Sequence, residues 1–157
     1  MKFSLRLLPL ALGFALLVGC DRHDHAAEKK GGSHAHTAPH GGALIEVGEH
    51  AYNLELLREP AAGKLTVWVL DGHAENFVRI KAAALEATAT VGSDKKTVSL
   101  KAVANPATGE TVGDTSQFEA QADWLKGPLP VEVTFTPFEI KGRRFEGLSG
   151  KAGVAVK

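Results

Sequence analysis

From Gly41 onward the chain alternates apolar and polar residues in short runs. Leu65, Val67 and Val69 alternate with Thr66 and Trp68, and Leu85, Ala87, Ala89 and Val91 with Glu86, Thr88 and Thr90. Val98, Leu100 and Ala102, then Phe118, Ala120, Ala122 and Trp124, then Val131, Val133 and Phe135 repeat the pattern. A period of two over four or more residues marks strands with one buried face. Turn residues separate the runs at Gly48-Glu49, Pro60 to Gly63, Asp71-Gly72, Gly92 to Asp94, Asn105-Pro106, Gly127-Pro128 and Lys141-Gly142. No segment after Gly41 carries a 3.6-residue apolar period. The expected fold is therefore all-β: an antiparallel, immunoglobulin-like β-sandwich of seven or eight strands, with a small barrel as the alternative. Phe135, Phe138, Phe145, Trp68 and Trp124 are expected in its core.

The first hairpins can be written out. Gly42–Val47 and Ala51–Leu57 are expected to pair across residues 48–50, with Val47 facing Ala51, Ile45 facing Asn53 and Ala43 facing Glu55. Pairing Ala51–Leu57 with Lys64–Leu70 then sets Tyr52 opposite Leu70 and Ala51 opposite Asp71. This layout brings Glu55 next to His40 at one end of the strands. It brings His50, Asp71 and His73 together at the other, about 3.3 Å per residue away. A site holding both His40 and His50 requires the chain before Gly41 to fold back.

The amino-terminal side reads differently. Lys2 and Arg6 precede an apolar run from Leu7 to Val18, too short for a membrane anchor and laid out as a secretory signal. The run ends Leu17-Val18-Gly19-Cys20, which resembles the bacterial lipoprotein box. That resemblance implies cleavage before Cys20, lipid on its thiol and acylation of the new amine. Asp21 is then in the position associated with retention at the inner membrane. Residues 1–19 are thus expected to be a lipoprotein signal peptide, and 20–40 a lipidated cysteine with a flexible, histidine-rich tether. Residues 41–157 are expected to be the sandwich domain, folding without the tether. Several acyl chains at about 0.8 kcal/mol per buried CH₂ would hold such a protein on the membrane.

Charge narrows the function. The chain has 18 lysines and arginines against 18 acidic residues, and loss of Lys2 and Arg6 leaves 16 against 18, a formal charge of −2. No basic stripe is present, so nucleic acid is not an expected partner. Lys141, Arg143 and Arg144 read as a solvated hairpin turn.

The seven histidines are His23, His25, His34, His36, His40, His50 and His73, and none follows. Neutral imidazole is the commonest protein ligand for transition metals. In an extended segment i and i+2 share a side, so His23 with His25, and His34 with His36, can each offer two nitrogens to one ion. In the ordered domain the candidate ligands are His40 with Glu55 at one end and His50, Asp71 and His73 at the other, the second end being slightly favoured. The expected ion is zinc or copper.

PHGGALIEVGEHAYNLEL, residues 39–56, resembles a histidine-glycine-glycine domain of small bacterial envelope proteins. Similar stretches accompany periplasmic adaptor subunits of heavy-metal efflux systems, and GKLTVWVLDGHAENFVRI, residues 63–80, extends the likeness. It implies a periplasmic, metal-associated role for the segment from His40 to His73. Relatives often carry a further histidine where this chain has Asn53, which weighs against a tight site made of protein ligands alone.

The leading expectation is thus a lipid-anchored protein on the periplasmic face of the inner membrane, binding zinc or copper for sequestration or hand-off to an efflux complex. The alternative is a protein-interaction module of an envelope complex with incidental histidines. Catalysis is not expected. Gly147-Leu148-Ser149-Gly150 lacks the spacing of a nucleophile elbow, no HExxH or CxxC occurs, and no residue stands out as a general base.

Overall fold

The computed structural model describes residues 36–155, within the unit His34–Lys157. The signal segment, Cys20, His23, His25 and His34 lie outside the described residues.

The domain is all-β. Its strands are β1 (Ala43–Val47), β2 (Tyr52–Glu59), β3 (Lys64–Asp71), β4 (Ala84–Val91), β5 (Asp94–Ala102), β6 (Gln117–Gln121), β7 (Val131–Phe135), β8 (Phe138–Ile140), β9 (Arg143–Phe145), β10 (Ser149–Lys151) and β11 (Gly153–Val154). Among the described residues no helix is long and apolar enough to cross a membrane. Alternation does what the sequence expects of it: Leu85, Ala87 and Ala89, or Val131, Val133 and Phe135, turn inward, while Glu86, Glu132 and Thr134 stay exposed.

Seven strands form the body, in the order β1-β2-β3-β6-β5-β4-β7, continued by β10. The β4-β5-β6 meander returns to lie beside β3, the Greek-key arrangement common in sandwiches. The sheet wraps around one core that includes Leu54, Leu56, Val67, Leu85, Leu100, Phe118 and Val133. Its ends meet through the segment 149–154. β10 pairs antiparallel with β7, and two residues later β11 pairs parallel with β2, Gly153 opposite Leu57 and Val154 opposite Arg58. β11 takes the edge of β2 just past the point where β1 stops. The wrapped sheet is compatible with a sandwich or a barrel.

Three expectations are corrected. Both leading hairpins are shifted by one residue: Val47 faces Tyr52, Ile45 faces Leu54 and Ala43 faces Leu56, while Tyr52 faces Asp71 and Leu54 faces Val69. The apolar face decides the register. The observed pairing puts Ile45 and Val47 on the same face as Leu54, Leu56, Val67 and Val69, whereas the expected one set Ile45 opposite Asn53. The turns accommodate it by lengthening, with Gly48, Glu49, His50 and Gly63 all at positive φ. Second, the run through Trp124 is not strand throughout. β6 ends at Gln121, and Asp123–Lys126 is a 3-10 turn that buries Leu125. Third, residues 36–40 pack on the body of the domain, as set out below.

β2 departs from alternation altogether, being buried at every position from Asn53 to Arg58. Its inward residues meet the core. Its outward residues, Asn53, Glu55 and Leu57, are buried on the other side of the sheet, and the segment leading into β1 supplies the partners of Glu55.

Candidate functional site

Glu55 lies mid-strand in β2, opposite Leu44 of β1 and Trp68 of β3, and is completely buried. An isolated buried carboxylate is costly unless it is hydrogen-bonded or paired. Its partners all come from residues 40–42. Oε1 accepts from the backbone N–H groups of His40 and Gly42, at 2.8 and 2.9 Å, and Oε2 lies 2.8 Å from His40 Nδ1. The glycines make this clamp possible. Gly41 has φ +75°, and a Cβ on Gly42 would fall 2.7 Å from the Leu56 carbonyl oxygen and 2.8 Å from Glu55 Cγ. The His-Gly-Gly sequence is a chain reversal that can lie directly on a carboxylate.

The His40 ring stacks on Trp68, centroids 3.7 Å apart and planes within 9°, and Phe77 stands 5.7 Å away. In the tautomer that donates Nδ1–H to Glu55, Nε2 carries the lone pair. A carboxylate behind one ring nitrogen is the usual way proteins orient an imidazole ligand and raise its basicity. The His40 side chain remains 33% exposed. Beside it is a pocket of about 190 Å³, lined by His40, Trp68, Phe77, Glu110, Ser116 and Gln117 among others.

Glu110 is the second buried carboxylate of this face. It accepts from Ser116 N–H and Oγ–H at 2.8 and 2.6 Å and from Thr108 Oγ1 at 2.7 Å. Burial favours its neutral form, but the Ser116 and Thr108 hydroxyls, the Ser116 amide and the nearby Arg79 charge outweigh that. They hold the carboxyl below its ordinary value.

The other end of the strands is assembled differently from expectation. The backbones of the 48–51 and 71–73 turns do touch, since a Cβ on Gly72 would collide with the His50 carbonyl oxygen. The side chains diverge. His50 N–H and Nδ1 both engage the Glu46 carboxylate, at 3.0 and 3.1 Å, and the His50 side chain is 62% exposed. Asp71 caps its own turn, accepting from Glu75 N–H at 3.0 Å and the Asn76 amide at 2.6 Å. Slight burial works against ionisation of Asp71, yet the Asn76 amide and neighbouring backbone N–H groups keep its carboxyl below the ordinary range. Asn53 is also committed, donating to the carbonyls of Asp71 and Gly72, both at 3.0 Å. Among the described residues no three His, Cys, Asp or Glu side chains are grouped to hold a metal ion.

The chain before Gly41 folds back, the condition the two ends had to meet. It runs over the sheet so that the His36 ring lies 5.7 Å from that of His73. The structure thus joins His40 to Glu55 and His36 to His73, and leaves His50 with Glu46. The His40–Glu55 contact was legible from the hairpin. The Trp68 stack was not, since an aromatic in an alternating run reads as core. Nor was Glu110, which has no distinguishing neighbour in sequence. No protein-family model, curated protein or solved structure matches the chain significantly.

Proposed function

We propose that this is a lipid-anchored protein of the bacterial envelope, on the periplasmic face of the inner membrane, that binds zinc or copper for sequestration or hand-off to an efflux system. The observation that carries the metal-binding part is the Glu55–His40 pair. A buried carboxylate fixes Nδ1 and leaves Nε2 of a partly exposed imidazole for an ion, within a segment where histidine recurs. The envelope part rests on the sequence: the short apolar run ending at Cys20 and the likeness of residues 39–80 to envelope proteins associated with heavy-metal efflux. His34, His36, His40 and His73 are the ligands this reading favours. Asp71 and Glu55 act around them, Asp71 in its turn and Glu55 behind the His40 ring.

Competition titration of the full chain with zinc and copper against a chromophoric chelator tests the reading. The tightest site is expected to weaken about 10–100-fold in Glu55→Gln, the usual cost of losing a carboxylate behind a ligating imidazole. His40→Gln should weaken it at least as much. A wild-type chain that holds neither ion against the chelator refutes the proposal.

A further inference from the structure

We infer that His36 and His73 form a two-imidazole metal site that bridges the histidine segment and the 71–76 turn. The inference rests on the metal-binding reading above and adds a ligand pair that the sequence does not join, since 37 positions separate its members. Its basis is geometric. Metal–nitrogen bonds of about 2.0–2.1 Å place two imidazoles on one tetrahedral or slightly wider ion with centroids about 5–6 Å apart. The His36 and His73 centroids are 5.7 Å apart, with the planes turned 75° to each other.

Neighbouring backbone on each side is held by other bonds. On one side, the Glu55 clamp fixes residues 40–42, and Gly41 N–H donates to the Ala38 carbonyl at 3.1 Å. On the other, Asp71 N–H donates to the Asn76 carbonyl at 2.9 Å, Ala74 N–H to the Asp71 carbonyl at 3.1 Å, and Ala74 is buried with φ +59°. The rings thus approach each other without a metal, and an ion would meet two ligands whose ordering cost is partly met. His73 is exposed and His36 half-buried, so an ion can enter from solvent. Two fixed nitrogens leave coordination positions for water or a further donor, which suits an exchangeable cargo ion.

A plain aromatic contact is the competing account, because edge-to-face pairs occupy the same range of separations. Copper(II) added to the full chain distinguishes them through paramagnetic broadening of amide resonances. At one equivalent the signals of residues 72–76 and 36–38 should broaden together. In parallel, His36→Gln and His73→Gln should each weaken zinc binding about tenfold, and the double variant little further, because the two rings serve one ion. Zinc binding that persists unchanged in His73→Gln, with sharp 72–76 signals, overturns the bridge while leaving the proposed function standing. A wild-type chain that binds no metal overturns both, and the rings are then an aromatic contact only.

Discussion

At the scale of single residues, the domain spends two buried carboxylates on one face of the sheet, and they do different things. Glu55 is held entirely by the His-Gly-Gly segment, whereas Glu110 is held by hydroxyls and an amide of its own loop. Folding lowers the Glu110 pKa, so the unfolded chain binds that proton more readily. The stability contributed by Glu110 is complete above its ordinary value of 4.5 and is lost as the pH falls through the lowered folded value. Glu110→Gln should therefore be less stable than wild type at neutral pH and converge on it in acid. Urea midpoints measured from pH 7 downward check this, and parallel profiles would count against the assignment. The residue scale is also where sequence reading stops soonest. Histidine and glycine at 40–42 announce a special backbone and the hairpin brings Glu55 near it, but only tertiary packing shows the carboxylate buried beneath that backbone and the ring stacked on Trp68.

Among elements, β2 is the hinge of interpretation. The expected register put Asn53 opposite Ile45, whereas Leu54 takes that place in the core. The register was not legible, because turn lengths at 48–51 and 60–63 depend on positive-φ residues that the sequence does not single out at Glu49 and His50. The same strand bears on the expectation that the domain folds equally well from Gly41. A chain starting there keeps only the Gly42 N–H on Glu55 and loses both His40 bonds and the ring covering Trp68. Leaving a buried charged group short of partners costs about 1–3 kcal/mol or more. Thermal melting in chelator should thus show the shortened chain folded but lower by several degrees. A melting temperature equal to that of the full chain would mean the clamp contributes nothing to stability.

For the whole molecule, the sequence foretold an all-β body and the number of its principal strands, but not how the sheet closes. The segment that joins β7 to β2 runs through β10 and the two-residue β11, too short for a periodic signal. Close approach does the work there. A Cβ on Gly153 would lie 2.7 Å from both the Ala43 nitrogen and the Gly42 carbonyl carbon, which are backbone atoms and cannot swing aside. On Gly150 it would meet only the Ile45 side chain, at 2.6 Å. Gly153→Val is therefore expected to cost about 1–3 kcal/mol and to strip exchange protection from the Ala155 amide, which donates to the Arg58 carbonyl. Gly150→Ala should cost less. Equal effects at the two positions would argue against closure through backbone contact.

That closure also has a meaning in time. Residues 153–154 complete an edge begun by residues 43–47, so the contact that finishes the sheet spans nearly the entire domain. Chains dominated by such distant pairings fold slowly, in milliseconds to seconds, because the loop must be ordered before the contact rewards it. Until the 149–154 segment arrives, β7 and the far end of β2 present bare hydrogen-bonding edges, the kind of surface on which nascent β-proteins associate wrongly. A newly synthesised chain would thus be most vulnerable in the interval between formation of β7 and capture of β11. The His-Gly-Gly segment meets Gly153 on the same edge of β2, so this distant contact also covers the backbone of Gly42.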